Sequence, residues 1–334
     1  IMDEPTSSLT EKEERILFQI IRNLKEQGVS IIYISHKLEE IFEVCDEVTV
    51  IRDGKWIDTF PIEDASRQKI IELMVGRPLD MFYPERESDP AENPIVFKVE
   101  DLHKENLISH ISFDIRAGEI LGVSGLVGAG RSEMAKTIFG RIKKDSGRIL
   151  IRGAEVEIES PADAIEQGMA FVTEDRKVEG LTLGLSVKEN IMSSNLGLVR
   201  RHLGFVDGKE EKAIAQESVK KLNVKTPSIE TLVRSLSGGN QQKLIISRWL
   251  VQNIRVLILD EPTRGIDVGA KKQIYDIMRD LTRVGIAILM ISSELPEILG
   301  MSDRIAIMKE GRILTTLYRS EASQERIMTI ITEG

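Results

Sequence analysis

Residues 120–132 read ILGVSGLVGAGRS, a short apolar run followed by a loop rich in glycine. Residues 133–139 then have a helical pattern. A strand, a glycine loop and a helix in this order match the P-loop pattern G-x-x-x-x-G-K-[ST]. In such a loop, backbone N–H groups curl around phosphate oxygens and the helix N-terminus adds a positive dipole end. The loop glycines are Gly125, Gly128 and Gly130, and Ser132 supplies a hydroxyl for Mg²⁺.

One position of the loop departs from the pattern, because Arg131 stands where the pattern has Lys. Lysine is a compact point charge, whereas arginine is a longer planar fork. Arg131 can therefore neutralise phosphate charge, but not from the same position. The sequence predicts phosphate binding at this loop and argues against efficient hydrolysis there. The alternative is a glycine-rich turn between a strand and a helix, with no ligand.

A second stretch ends a predicted buried strand with two acids. Residues 256–259 are apolar, and Asp260 and Glu261 follow them. Such a strand would bring Asp260 beside the glycine loop, where it can hold Mg²⁺ through water. Glu261 would be placed to orient or deprotonate an attacking water. The alternative is a strand end with two solvated carboxylates.

Residues 235–242 read SLSGGNQQ and precede an apolar-periodic helix at 243–250. Ser237 is a candidate helix cap, and Gly238 and Gly239 let a ligand approach the exposed N–H groups. The pattern predicts a second anion-binding helix end. An ordinary capped helix is the alternative.

The chain also repeats itself, since residues 1–55 and 258–312 align without a gap. The tetrad DEPT at 3–6 returns at 260–263. Both copies alternate apolar runs with amphipathic segments, which is typical of parallel βαβ units and an α/β fold. We therefore expect the tail of one unit over 1–75, a proline-containing linker over 76–94 and a whole second unit over 95–334.

Composition limits the remaining possibilities. The chain has 334 residues, about two domains by length, and a formal net charge of −9. The acidic balance argues against a dedicated nucleic-acid binder. A single cysteine allows no disulfide framework within the chain, and no apolar run approaches the roughly 18 residues of a membrane span. Any membrane role is expected to come through a partner.

The glycine loop, LSGGNQQ and LILDEPT, in this order and spacing, resemble the nucleotide-binding domains of ABC transporters. Two such units in tandem resemble the double ATP-binding subunit of bacterial monosaccharide importers, of the galactose/methyl-galactoside or ribose type. The resemblance implies a P-loop α/β fold with a mixed sheet, an antiparallel β subdomain and a helical subdomain. It also implies that the chain is the C-terminal portion of a two-domain protein.

The resemblance assigns roles to individual residues, with ATP and Mg²⁺ as cofactors. In the first copy Glu4 would be the catalytic carboxylate, with Asp3 for Mg²⁺ and His36 as the switch that contacts the γ-phosphate. The signature of the second copy would serve the ATP of the first domain, through Ser237, Gly238, Gly239 and Gln241. In the second copy Glu261 would be the catalytic carboxylate, with Asp260 and Ser132 for the metal. Further nucleotide-binding positions would be Arg131, Glu133, Glu174 and Ser293.

Three of those positions depart from the family pattern: Arg131 at the lysine position, Glu174 where a glutamine is usual, and Ser293 in register with His36. The second site is therefore expected to be degenerate, and the chain alone to have little ATPase activity. Residues 181–195 and 209–222 would form the helical subdomain, with 185–191 as the lip of a groove for a membrane subunit.

Expected partners are membrane permease subunits, a periplasmic or lipoprotein sugar-binding protein and a second nucleotide-binding domain or subunit, with no nucleic acid. The expected location is peripheral, on the cytoplasmic face of the cell membrane. Two other classes stay open. One is a non-hydrolysing, nucleotide-binding regulatory module, and the other is an ABC ATPase of DNA repair or translation.

Overall fold

The computed structural model describes residues 1–6, 9–35, 37–52, 54–75, 82–86, 89–199 and 207–333. The chain divides into two compact units, one of 1–82 with 267–272 and the other of 83–266 with 273–334. His36 lies outside the described residues.

In its described residues the first unit contains two separate pairs of strands and three α-helices. Its elements are β1 (Met2–Asp3), α1 (Glu11–Glu26), β2 (Tyr33–Ile34), α2 (Leu38–Val44), β3 (Glu47–Arg52), β4 (Lys55–Pro61) and α3 (Arg67–Val75). Strand β1 pairs in parallel with β2, and β3 pairs antiparallel with β4.

The strands of the second unit form two sheets. They are β5 (Ile95–Lys104), β6 (Ile108–Arg116), β7 (Ile120–Ser124), β8 (Ser146–Ile151), β9 (Ala154–Val156), β10 (Met169–Val172), β11 (Val256–Asp260), β12 (Ala287–Ile291), β13 (Arg304–Lys309) and β14 (Arg312–Tyr318). The larger sheet has the order β10-β11-β12-β7-β13-β14 and is parallel except for β14. The smaller is antiparallel, in the order β6-β5-β8-β9.

The described residues also form eight further α-helices. They are α4 (Arg131–Ile138), α5 (Pro161–Glu166), α6 (Val187–Met192), α7 (Gly208–Lys221), α8 (Gly238–Trp249), α9 (Val268–Arg283), α10 (Leu295–Met301) and α11 (Gln324–Glu333). Helix α6 packs against α7 and α8. The mixed sheet, the antiparallel sheet and this helical group confirm the fold predicted from the sequence.

The parallel strands explain how the site is assembled. Every residue of β7, β11 and β12 is buried, as expected for strands covered on both faces. Because these neighbouring strands run in parallel, their carboxyl ends lie at one edge of the sheet. The glycine loop leaves β7 at that edge, and Asp260 ends β11 there.

The sequence repeat is also a repeat of strand register. Met2 pairs with Tyr33 as Leu259 pairs with Met290, and the β3–β4 hairpin repeats the pairing of β13 with β14. The irregularity between Val50 and Ile51 returns between Ile307 and Met308. The sequence alignment therefore describes two copies of one structural unit.

The two copies differ in one predicted strand. The pattern at 29–34 predicts six extended residues, but β2 contains only Tyr33 and Ile34. Its counterpart β12 is longer and is paired on both sides, with β11 and with β7. Within the described residues β2 is paired with β1 alone, so fewer of its residues are held extended.

Candidate functional site

The glycine loop has the backbone conformation that glycine allows. Gly128 and Gly130 have φ angles of 82° and 92°, a left-handed region that side chains disfavour. A Cβ on Gly130 would also lie 3.2 Å from the carbonyl oxygen of Leu107, and one on Gly125 would lie 2.4 Å from that of Met308. Gly130 caps α4, so the free N–H groups of the first helical turn face the loop. The arrangement is suited to hold phosphate oxygens.

Arg131 is turned inward, toward the ends of the neighbouring strands. Its side chain is nearly buried, and Nη1 donates a hydrogen bond of 2.7 Å to the backbone oxygen of Ser292, just after β12. Nη2 lies 3.9 Å from Oε1 of Glu261. The guanidinium is thus already shared between a carbonyl and a carboxylate, which a shorter lysine would not reproduce.

Asp260 is the most strongly perturbed acid of the site. The residue is fully buried, and within the described chain neither carboxylate oxygen has a hydrogen-bond partner of good geometry. Burial raises the pKa of Asp260 to about 7, and the negative charges of Glu174 and Glu261 add to the shift. The Ser132 hydroxyl and Arg131 oppose it from nearby.

An unpartnered buried carboxylate calls for a cation or a proton. Magnesium prefers carboxylate, hydroxyl and water oxygens, so Asp260 together with Ser132 fits a Mg²⁺ site. No group of three or more His, Cys, Asp or Glu side chains in the described ranges is arranged to hold a metal. The site of Asp260 and Ser132 therefore fits a metal ion that takes most of its ligands from water or phosphate.

Glu261 follows Asp260 with a strained backbone. Its φ angle is 51°, and its N–H donates to the carbonyl of Ile291 at 2.9 Å. Oε2 accepts a hydrogen bond of 3.1 Å from Ser293, while Oε1 faces Arg131. One oxygen of the carboxylate is hydrogen-bonded and the other lies near a positive charge, and both contacts orient the group, as a water-orienting role requires.

Glu174 and Glu133 lie near the loop but differ in their contacts. Glu174 follows β10 and forms an ion pair with Arg264, yet its charge still acts on Asp260. Glu133 is half-buried in the first turn of α4, and its backbone oxygen accepts from the Thr137 hydroxyl.

The signature turn begins earlier than the sequence pattern predicts. Helix α8 starts at Gly238 rather than at residue 243, so Gly238 and Gly239 form its first turn. Ser237 occupies the cap position and is exposed, but its side chain does not cap the helix; it accepts a bond of 2.9 Å from Asn240 instead. The Ser237 hydroxyl and the first N–H groups of α8 therefore lie next to each other.

Two side chains, those of Gln241 and Arg176, lie against this turn. Gln241 is buried and donates to the carbonyls of Val233 and Leu236, both at 3.2 Å. Arg176 donates to the carbonyls of Arg264 and Gly265, at 2.6 and 2.9 Å. A Cβ on Gly238 would lie 2.9 Å from Nη2 of Arg176. Sequence reasoning missed Arg176, whose only signal was its place in a polar run after β10.

The structure brings five of the predicted residues of the second copy together: Ser132, Arg131, Asp260, Glu261 and Ser293. The first copy repeats part of this arrangement. Glu4 has a φ angle of 43° and donates its N–H to Ile34, as Glu261 does to Ile291. Asp3 is exposed, in contrast to Asp260.

The family comparison agrees with this geometry. A family model described as ABC transporter matches residues 108–264. The chain is 50% identical over 334 residues to the ribose import ATP-binding protein of Bacillus licheniformis, covering all of this chain and 67% of that protein. It is 52% identical over 328 residues to a ribose/galactose/methyl galactoside import ATP-binding protein of Agrobacterium fabrum, covering 98% and 65%. The chain thus spans about two thirds of the length of these relatives.

Solved structures agree on the fold. An ATP-binding cassette of an ABC transporter in its ADP conformation aligns with a TM-score of 0.58 and 21% identity, covering 72% of this chain and 95% of the cassette. A dimeric cassette bound to ADP and Pi aligns with a TM-score of 0.56 and 21% identity, covering 67% and 98%. At this identity the likeness concerns the fold alone.

Proposed function

The chain belongs to the family of ABC transporter ATP-binding proteins, and from this premise we propose that it powers import of a monosaccharide as the C-terminal part of a two-domain ATPase. In this proposal residues 1–75 are the end of a first nucleotide-binding domain, 76–94 a linker and 95–334 a complete second domain. The observation that carries the proposal is the buried, unpartnered Asp260 carboxylate beside the glycine loop and Glu261.

In this proposal the second copy supplies a site that binds nucleotide but is poorly arranged to hydrolyse it. The N–H groups around Gly125, Gly128 and Gly130 bind phosphate oxygens, and Ser132 and Asp260 would hold Mg²⁺. When bound, Mg²⁺ neutralises the developing charge on the phosphates. Arg131 is already engaged by Ser292 and Glu261, and Ser293 occupies one oxygen of Glu261. These contacts support a site that retains nucleotide and hydrolyses it slowly.

Hydrolysis is assigned to the first copy. Glu4 has the same strained turn as Glu261 and is the proposed carboxylate that orients water, with His36 at the γ-phosphate and Asp3 at the metal. The turn of Ser237, Gly238 and Gly239, in which Ser237 is exposed and which Gln241 supports from inside, is the part of the second copy that we assign to contact with this ATP.

The remaining partners are those that an importer requires: permease subunits in the membrane, a periplasmic or lipoprotein sugar-binding protein and a second nucleotide-binding domain or subunit. None of the helices in the described ranges is both long and apolar enough to span a bilayer. We place the protein at the cytoplasmic face of the membrane, held there by the permease.

The test is ATP turnover of the complete two-domain protein with its permease in vesicles. Glu4→Gln should lower kcat at least 100-fold, because the water loses its orienting group. Glu261→Gln should leave kcat within threefold, since its site is not the one that turns over. The reverse ranking of the two variants, or equal losses in both, would refute the division of roles.

A further inference from the structure

A buried glutamate occurs at the same place in both copies. Glu297 in α10 and Glu40 in α2 are 1% and 3% exposed. Each accepts hydrogen bonds from a threonine that follows the acid pair and from a serine at the end of the next strand. We call these sets the glutamate clusters: Glu297 with Thr263 and Ser292, and Glu40 with Thr6 and Ser35.

Each cluster connects the segment that follows the acid pair to the segment that follows the next strand, at the edge of the sheet where the site residues lie. In the second copy Thr263 donates to Oε1 of Glu297 at 2.9 Å, and Ser292 donates to Oε2. Ser292 Oγ also accepts the N–H of Glu294 at 3.0 Å, which closes the turn around Ser293. Ser293 is the residue that donates to Glu261. The cluster thus fixes the turn whose middle residue contacts the site carboxylate.

In the first copy Tyr33 and Lys37 also reach the carboxylate. Ser35 and Tyr33 donate to Oε2 of Glu40 at 2.9 and 2.8 Å, and Lys37 Nζ lies 3.1 Å from Oε1. The N–H of Lys37 donates to Ser35 Oγ at 3.0 Å. Ser35 and Lys37 are the two neighbours of His36 in the sequence, so Glu40 binds both flanks of the proposed switch.

A phenol hydroxyl reaches each cluster by a different route. In the first copy it comes from Tyr33 on β2, where the second copy has Met290. In the second copy Tyr275 of α9 meets Thr263 beside Glu297, where the first copy has Phe18. Both copies therefore place a phenol hydroxyl near the carboxylate, although they use different residues to do so.

Resting on the proposed function, we propose that Glu40 is a positioning residue for ATP hydrolysis in the first copy. It holds Ser35 and Lys37, which flank His36 in the sequence, to Thr6, which lies two residues after Glu4. It touches neither nucleotide nor water in this assignment and acts through Ser35 and Lys37. Its loss should therefore slow the chemical step without weakening ATP binding.

The experiment uses the complete two-domain protein with its permease. Glu40→Gln keeps the shape of the side chain but loses the charge that Lys37 contacts, so kcat should fall at least tenfold while KM for ATP stays within twofold. Glu39→Gln is the matched control, because Glu39 is exposed on the same helix and pairs with Arg67. It should leave both constants within twofold. Ser35→Ala removes one bond and should lower kcat about threefold.

A second measurement separates positioning from folding and from the proposed function. Hydrogen exchange of the peptide containing Ser35 to Leu38 should be at least tenfold faster in Glu40→Gln, with β3 unchanged. A kcat within twofold of the unmodified protein, a parallel change in KM, or unaltered exchange would overturn the inference. An unmodified protein without ATP turnover would refute the proposed function instead, and the exchange result would still decide the role of Glu40.

Discussion

Asp260 shows how strongly one buried acid can link stability to pH. Its pKa is raised to about 7, so in the folded chain it stays protonated where the unfolded chain has already ionised. Stability is therefore lost as pH rises from about 4 toward 7, by about 1.4 kcal/mol for each unit of pKa difference.

Asp260→Asn removes this titration from the nucleotide-free protein. We expect its melting temperature to exceed that of the unmodified chain by several degrees at pH 8 and by much less at pH 5. The MgATP-dependent increase in melting temperature should disappear, because the metal loses its carboxylate. Scanning calorimetry at the two pH values checks both effects, and an equal gain at pH 5 and pH 8 would contradict the assignment.

Arg131 permits a second prediction at this scale. Arg131→Lys should release Ser292 and Glu261 and return a compact charge to the loop, so MgATP should bind the second site at least fivefold more tightly. The lost hydrogen bond should lower the free energy of unfolding by about 1 kcal/mol. Titration calorimetry in a Glu4→Gln background measures the affinity without turnover. Arg131→Met, which lacks any charge, should bind more weakly than either.

Some contacts of individual residues could not be predicted from the sequence. Motif spacing predicted that Arg131 and Ser132 share one loop and that Asp260 and Glu261 share one strand end, because a strand, a loop and a helix constrain residues that are close in the chain. Spacing did not indicate that Arg131 is turned toward Ser292, or that Arg176 supports the signature turn. These contacts join segments roughly 90 to 160 residues apart, so they depend on the tertiary fold.

Among the elements, β2 and β12 provide an internal comparison. Both carry the same apolar pattern, but β12 is paired on both sides and β2 only with β1 in the part of the chain that is described. Amide exchange at Tyr33 and Ile34 should therefore be at least 100-fold faster than at Met290 and Ile291. Exchange measured by mass spectrometry on peptides from both strands checks this. Equal protection would mean that β2 has a partner on its open side.

The same comparison explains which elements could be predicted. The amphipathic patterns at 11–27 and 269–284 predict helices α1 and α9 to within one residue at each end, since each depends mainly on its own sequence. The length of β2 could not be read from the pattern, because a strand is extended only where a neighbour pairs with it. The start of α8 was also predicted too late, because its two glycines weaken the helical pattern.

At the scale of the whole molecule, the first unit exposes apolar positions that the second unit buries. Ile32 is 61% exposed, whereas its counterpart Leu289 is fully buried, and Ile1 and Ile34 differ from Ile258 and Ile291 in the same way. We expect this chain to bind an apolar fluorescent dye and to self-associate.

Adding the N-terminal third of the Bacillus licheniformis relative as a separate polypeptide should lower the dye signal at least threefold, because in the proposed two-domain protein such a segment supplies strands that cover these positions. Light scattering on the same samples should fall in parallel. An unchanged signal in a sample where the two polypeptides co-purify would contradict this origin of the exposed surface.

The exchange of phenols between Tyr33 and Tyr275 has a consequence for hybrid proteins. A cassette given β2 from the first copy and α9 from the second would bring two phenols to a single glutamate cluster, one at the acid and one at the threonine beside it, and the opposite graft would bring none. The two copies therefore differ by paired side-chain changes, and exchanging one member of a pair without the other breaks the match. Segment swaps between the halves should therefore fail in one direction through crowding and in the other through the loss of a hydrogen bond.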